Sequence, residues 1–496
     1  MSKKIIISPF NRVEGDLEVI IDVKDKTIVD VHLSGIMFRG FETILEGRDP
    51  IDALIFTPRI CGICNISHSV ASSNALRNAF RVEMPQNAYF LRNIAHACEM
   101  ILSHLTHFYL YFIIDFLNKK YKNYPFYEKV CKRFAPMKGT SYICFIKQRR
   151  KLLELLGIIV GKWPDTLAFQ PGGITKILTH GEIIRALGII NEFKNFLERR
   201  LIYCSIERWL ENQNVKDVEN WLNEKKHAES DIGLFITISH KIGLDRLGIS
   251  SGKFLSFGAF EQPDGSYYFK SGYYNGYLHS FNPQKITEHI EYSWYTHNKN
   301  ITHPLDSVTQ PYTDKLKAYT WIKAPRYEDN VVEVGPLARL IINRDPLISD
   351  YFNKYKSSIL VRILARIHEA LKLIKAVEDW LKKIDPDKPG YKNYNILSYA
   401  TGVGLTEAPR GALGHWIIIE NGKIKKYQII TPTTWNFSPR DSYGRLGVVE
   451  QALLGIKIDD EENPIEIGHI IRSFDPCLVC AVHAFKDNKK LIVYKV

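Results

Sequence analysis

A chain of 496 residues, 45% hydrophobic and 24% charged, has the makeup of a globular protein able to bury a large core, which excludes a disordered or fibrous chain. Its net charge of +12, from 66 basic and 54 acidic residues, is scattered apart from short clusters such as Lys147-Gln148-Arg149-Arg150-Lys151. Without a nucleic-acid motif beside it, this excess marks a basic surface or a face for an acidic partner, and no nucleic-acid binding is expected.

The chain opens with a basic pair and an apolar run too short for a signal peptide. Residues 5–35 alternate in the manner of strands, with a polar Lys24-Asp25-Lys26 turn, and predict an antiparallel hairpin. Helical spacing follows through the segment after Pro50 and again from Asn87 to about Phe116. The most apolar stretch, Leu105 to Leu117, is interrupted by His107 and Asp115 and is shorter than the roughly 18 residues of a membrane span, so no span is expected. Residues 146–160, 181–223 and 346–384 read as long amphipathic helices, and 232–280 as short strands and loops. Asn421-Gly422 between apolar strands is the strongest hairpin signal in the chain. The fold expected is a single α+β domain dominated by helices, with a long-helix bundle burying the site and small antiparallel sheets and hairpins beside it.

Eight cysteines in so long a chain are too few for a disulfide scaffold, and their pattern suggests a reducing compartment. Four form two C-x-x-C pairs, Cys61/Cys64 and Cys477/Cys480, each with a histidine following, His68 and His483. Such a set suits a soft, thiophilic metal. A structural zinc site is the plainer reading, but zinc ribbons gather their ligands in a short loop, and these pairs lie more than 400 residues apart. The first pair sits where a loop enters a helix, a position expected to lower thiol proton affinity and favour metal loading.

The flanking residues complete the pattern. Arg59-Ile60-Cys61-Gly62-Ile63-Cys64-Asn65-Ile66-Ser67-His68 and Asp475-Pro476-Cys477-Leu478-Val479-Cys480-Ala481-Val482-His483 resemble the first and last signature motifs of the large subunit of nickel-iron hydrogenases. Arg12-Val13-Glu14-Gly15, Phe38-Arg39-Gly40-Phe41-Glu42, Ala324-Pro325-Arg326-Tyr327, the segment from Glu407 to Trp416, and Pro432-Thr433-Thr434-Trp435-Asn436 match the same family in order. The resemblance implies reversible cleavage of H2 to protons and electrons, in the uptake direction. Nickel would be bound by all four cysteines, with Cys64 and Cys480 bridging to an iron carrying carbon monoxide and cyanide, and with Cys61 and Cys477 terminal.

The resemblance also implies roles for other residues. Glu14 would exchange protons with Cys477. Arg410, held in a loop with Ala408, Pro409 and Leu413, would set a guanidinium over the open metal position. Thr433 would hydrogen-bond a cyanide, and His68 would stand beside a bridging cysteine. Glu42, a backbone carbonyl around Ile429, and His483 match a magnesium-type site. Implied partners are a small subunit carrying iron-sulfur clusters, nickel-insertion factors and an endopeptidase. The endopeptidase would cut after His483, leaving residues 1–483 as the mature domain and removing 484–496.

Two departures from the pattern stand out. Ser103 replaces an aspartate that in many members precedes the histidine matching His104 and holds the arginine, which puts the charge around Arg410 in question. Lys162-Trp163-Pro164-Asp165-Thr166 stands where periplasmic members carry a histidine-rich Gly-Arg-His-Pro-His segment, and the following Gln170-Pro171-Gly172-Gly173-Ile174-Thr175 looks like the cytoplasmic uptake and hydrogen-sensing branch, so a cytoplasmic protein, meeting a membrane only through partners, is expected. The rival readings are a hydrogen sensor of the same fold, a subunit like the homologous one of respiratory complex I, and a zinc-stapled scaffold. His104 and His107 are read as core histidines rather than a metal pair.

Overall fold

The computed structural model describes residues 3–481. Its first sheet is antiparallel in the order β1 (Lys3–Ile7), β2 (Leu17–Lys24), β3 (Thr27–Gly35). Along β2 the alternate residues Leu17, Val19, Ile21 and Val23 are buried, as a period of two requires when one face meets a core. Asp25 and Lys26 both take positive φ, the geometry of a tight hairpin turn.

Helix α1 (Asn65–Phe80) is rich in serine and alanine and buried on nearly all sides. Its small side chains allow a strand to lie directly on it. Helix α2 (Gln86–Thr106) runs on through a π-helical segment, His107–Phe112, and a 3-10 turn to Leu117. By length and composition Gln86–Leu117 would suffice to cross a membrane, contrary to the expectation above. Its most apolar window is 72% buried within the protein, which makes it a core helix. Helix α3 (Thr140–Val160) packs beside it.

The expected helix over 181–223 is three pieces. α4 (His180–Phe196) continues through a π-helical segment to Ile202 and stops at Tyr203, which adopts a left-handed φ of 55°. α5 (Ile206–Leu210) and α6 (Val215–Asn223) each start on a capping side chain, Ser205 accepting from Arg208 N and Asn214 from Asp217 N. The expectation of strands and loops over 232–280 is half right. Strands β4 (Phe254–Glu261) and β5 (Tyr267–Tyr274) pair there, but helix α7 (Asp231–Ile242) precedes them, capped by Ser230. The pattern over 346–384 is two helices, α8 (Pro346–Tyr355) and α9 (Ile359–Leu381), separated where Lys356 turns to a φ of 54°. α9 packs along α2 and forms the centre of the main hydrophobic core.

The last sheet orders β6 (Ala400–Ala408), β7 (Gly411–Glu420) and β8 (Lys423–Ile430), with Asn421 and Gly422 at φ 54° and 71° in the expected hairpin. Strand β6 lies on α1 so closely that a Cβ at Gly402 or Gly404 would come within 2.1 Å or 2.0 Å of a helix carbonyl oxygen. That contact fixes the helix carrying Cys64 at its start. Along β7, Leu413 and Ile417 face a hydrophobic cluster that contains all four C-x-x-C cysteines, while Ala412 and Trp416 face another. Gly404→Ala is therefore expected to cost about 1–3 kcal/mol or more, because backbone on both sides must move. The measurement is the thermal unfolding midpoint, and a midpoint equal to the parent's would contradict this account of the packing.

Candidate metal centre

Cys61 follows the 3-10 turn Thr57–Ile60, and Cys64 is the residue from which α1 starts. Cys477 forms a parallel bridge with Glu14, and Cys480 lies in a short helix, α10 (Leu478–Ala481). The Sγ atoms of Cys61 and Cys477 are 3.4 Å apart, those of Cys64 and Cys480 3.4 Å, and those of Cys477 and Cys480 3.1 Å. All four lie within 4.8 Å of one another and are buried. Two loops distant in the chain have met around one point.

Three contacts bring them there. Leu478 N donates to Glu14 O at 2.6 Å, seating the second loop on the Arg12-Val13-Glu14-Gly15 segment. Gly15, at φ +80°, lets the loop approach, since a Cβ there would stand 2.8 Å from Val479 N. Arg39 donates to the carbonyls of Ile60 and of Arg59 (2.9 Å) in the first loop and of Val479 (3.3 Å) in the second. This clamp was missed in the sequence, where Arg39 stands in a quoted motif without a role. Glu99, outside every motif, was missed too. It is wholly buried and accepts from Ile66 N (2.8 Å), Ser67 N (2.9 Å) and Ser67 Oγ (2.8 Å), satisfying the first turn of α1 directly after Cys64. Burial raises its carboxyl to about 7, against those hydrogen bonds.

Hydrogen bonds from Cys477, Cys480 and Cys64 hold Cys61 well below the ordinary thiol value, while burial lifts Cys477 and Cys480. Cys64 is raised as well, chiefly by its sulfur neighbours, so the lowered proton affinity expected at the helix start is found at Cys61 and not at Cys64. Four sulfurs this close cannot all ionise without a cation among them. A thiophilic metal that displaces the protons fits this donor set in number, spacing and softness.

The surroundings exceed what a structural metal needs. Arg410 Nε donates to Asp475 O at 2.8 Å and a terminal nitrogen to Asp475 Oδ1 at 3.1 Å, leaving the other terminal nitrogen buried with no partner among the described residues. Burial opposes the charge, but Asp475 and then Cys477, Cys64 and Cys61 more than restore it. Arg339 donates to the carbonyls of Ala408 (3.0 Å) and Pro409 (3.2 Å), fixing the loop that carries Arg410, and Leu413 lies in the cluster with the cysteines. Glu14 is half-buried, and burial and then the Cys61 thiolate raise its carboxyl, partly offset by Arg410 and Arg39.

The charge left in question by Ser103 has an answer. Ser103 Oγ is buried without a partner among the described residues, and Asp475 takes the arginine instead, its other oxygen accepting from Arg366 at 3.1 Å. Arg366 reaches His104 Nδ1 (3.3 Å), whose Nε2 meets Glu369 (2.8 Å). Glu369 pairs with Arg339 (2.6 Å), which pairs with Glu407 (2.8 Å). His104 is thus a link in a buried ionic chain, and His107 Nε2 meets Arg472 O at 2.6 Å, so both are core histidines, as expected.

Thr433 Oγ1 accepts from Cys477 N at 3.0 Å. His68, one turn into α1 from Cys64, is buried, and its Nδ1 lies 3.1 Å from His415 Nε2. Glu42 is buried and accepts from Ile429 N at 2.9 Å and from Thr309 Oγ1, so of the expected magnesium-type set the Glu42 carboxylate meets the amide, not the carbonyl, of Ile429. The third, His483, lies outside the described residues.

Residues 39–123 and 134–483 match the family described as nickel-dependent hydrogenase. The chain is 32% identical over 516 aligned residues, 97% of this chain and 95% of the relative, to the periplasmic [NiFeSe] hydrogenase large subunit of Desulfomicrobium baculatum. It is 30% identical to the uptake hydrogenase large subunit of Rhodobacter capsulatus, covering 100% of this chain and 97% of that one. A solved structure of H2-activated [NiFeSe]-hydrogenase from Dm. baculatum superposes with a TM-score of 0.86 at 32% identity, over 97% of this chain and 100% of that one. The fold, the sulfur cluster and these likenesses agree, and the chain belongs to the nickel-dependent hydrogenase family.

Proposed function

We propose that this chain is the catalytic large subunit of a nickel-iron hydrogenase working in H2 uptake. The observation that carries this reading is the convergence of four buried Sγ atoms beside the Arg410 guanidinium, one of whose nitrogens has no partner among the described residues. A nickel-iron centre held by Cys61, Cys64, Cys477 and Cys480, with Cys64 and Cys480 shared with the iron, would supply the heterolytic cleavage of H2 to two protons and two electrons.

The chain's own residues would manage charge and protons around it. Arg410 keeps a fixed positive charge with a donor to spare, and Asp475 holds it in place, so no reorganisation is needed when H2 enters. Cys477, terminal on the nickel, would take the first proton. Glu14, whose main chain pairs with that of Cys477 and whose carboxyl is raised by burial, would relay the proton outward. Thr433 and His68 would support the cyanide and the bridging sulfur, and Glu42, Ile429 and His483 a magnesium ion.

Among the described residues no other group of three or more His, Cys, Asp and Glu ligands comes together, and we infer that electrons leave through a small subunit bearing iron-sulfur clusters. The relatives' names support a large subunit with a partner, and uptake over sensing, since the two quoted are a periplasmic and an uptake hydrogenase. The Gln170–Thr175 segment supports a cytoplasmic setting, although the Dm. baculatum relative is named periplasmic.

Replacing any of the four cysteines by serine, a harder ligand, is expected to abolish nickel retention and hydrogen-dependent dye reduction by the purified complex. Unchanged nickel and turnover in any one variant would sink that ligand's assignment. Arg410→Lys keeps the charge and loses the planar fork. Nickel should remain while turnover falls at least tenfold, about 1.4 kcal/mol in barrier. Wild-type rates in that variant would show the fork to be dispensable. The family match ends at His483, and the thirteen residues after it, four of them lysines, begin only a few positions beyond the ligands Cys477 and Cys480. Intact-mass measurement of nickel-loaded enzyme should therefore find a chain ending at His483. Val496 still attached at full activity would overturn the maturation proposal.

A further inference from the structure

His96 and Glu99, three residues apart on α2, share a face of that helix and meet the first turn of α1. Glu99 Oε1 accepts from Ser67 N at 2.9 Å and lies 2.8 Å from Ser67 Oγ, while Oε2 accepts from Ile66 N at 2.8 Å and from Trp163 Nε1 at 3.4 Å. A carboxylate that only capped α1 would need no more. The contacts go on, however, because Ser67 Oγ is also 3.2 Å from His96 Nε2. All three side chains are buried, at 2% exposure or less. His96 in turn lines a polar cavity of about 30 Å³ with Asn74, Tyr89, Arg92, Asn93 and Glu261, which is room for a water. Tyr267, in the same wall, is 41% exposed, so the cavity lies against the surface.

The hydroxyl of Ser67 has one hydrogen and two neighbours, which gives the line two complete arrangements. In the first, Glu99 is ionised, Ser67 donates to it, and His96 Nε2–H donates to Ser67. In the second, Glu99 carries a hydrogen and donates to Ser67, Ser67 donates to a bare His96 Nε2, and the ring keeps its hydrogen on Nδ1. The two differ by one proton. It enters at His96 Nδ1, the Nε2 hydrogen passes to Ser67 Oγ, and the Ser67 hydrogen passes to Glu99 Oε1. Burial, with Arg339 and Arg92 facing the ring, drives His96 down to about 3, so it passes hydrogens without storing charge. Glu99 faces the α1 amides, the Ser67 hydroxyl and the Trp163 indole, and is the group that keeps the proton.

We infer that Glu99 is a positioning residue that takes up and releases a proton through Ser67 and His96, along a line separate from Glu14, and so sets the charge at the start of the helix that follows Cys64. Ionised, it offsets the positive end of α1, which favours a thiolate at Cys64; protonated, it leaves that field intact. Its influence on the metal-binding sulfurs rests on the reading of the site given above. The exchange of the proton does not.

The test is infrared difference spectroscopy of the purified complex, with pH stepped and after rapid mixing into D2O. A carboxylic acid band should grow as pH falls through about 7 and be missing from Glu99→Gln. The iron-bound carbonyl band should move over the same range, and by more in the parent than in Glu99→Gln. In Ser67→Ala, which breaks the line, the D2O shift of the Glu99 band should slow on the order of tenfold or more. Three results would each overturn the inference: no carboxyl band that Glu99→Gln removes, equal exchange rates in Ser67→Ala and the parent, or a carbonyl band that answers pH alike in the parent and Glu99→Gln. A parent with the exchanging carboxyl band and no carbonyl band would fail the reading of the metal site and leave the proton line standing. If Glu99→Gln does not fold, Ser67→Ala, which only deletes a hydroxyl, identifies the band by its shift and decides alone.

Discussion

Everything in this molecule depends on bringing four thiols to one buried point from the two ends of the chain. Cys61 and Cys477 are 416 residues apart in sequence and 3.4 Å apart in space. Sulfurs at that spacing repel as thiolates, and burial raises the proton affinity of Cys477 and Cys480, so the cluster needs a cation to carry four thiolates. The protein does not leave the approach to the metal alone. Arg39 ties both loops through their carbonyls, Glu14 and Gly15 dock the second loop main chain to main chain, and Glu99 satisfies the start of the helix behind Cys64. A site preorganised in this way binds a soft cation without reordering two loops at the moment of binding.

The second constraint is charge. A guanidinium buried beside thiolates needs an anion that does not compete for the metal, and Asp475 supplies it from within the motif that carries Cys477 and Cys480. The same carboxylate also neutralises Arg366, so one anion serves two cations, and the remaining positive charge faces the sulfur cluster. The chain onward through His104, Glu369, Arg339 and Glu407 returns to the carbonyls of Ala408 and Pro409. The loop bearing Arg410 is therefore held at both ends by one network. Breaking a buried pair within such a network leaves an uncompensated charge, which costs far more than the pair itself contributes.

How much of this was legible depended on whether the signal was local. The C-x-x-C pairs, the Asn421-Gly422 turn and the alternation of β2 are written in a few adjacent residues, and each could be read. The helix over Asp231–Ile242 was obscured by Gly233, which suggests a loop but is required because a Cβ there would come within 2.2 Å of His227 O. The breaks at Tyr203 and Lys356 are single left-handed residues with no glycine to announce them. Arg39, Glu99, Asp475 in its role as counter-ion, and the pairing of His415 with Tyr427 are tertiary facts. Their partners lie between 12 and 440 residues away, and no periodicity in one stretch of chain encodes them.

The central claim is that nickel sits among these four sulfurs. Anomalous diffraction from crystals of the purified complex, recorded on both sides of the nickel absorption edge, tests it most directly. The account predicts one nickel-specific peak within bonding distance of Sγ of Cys61, Cys64, Cys477 and Cys480, beneath the guanidinium of Arg410. A zinc-specific peak at that point, with no nickel, would contradict it and return the cluster to a structural role.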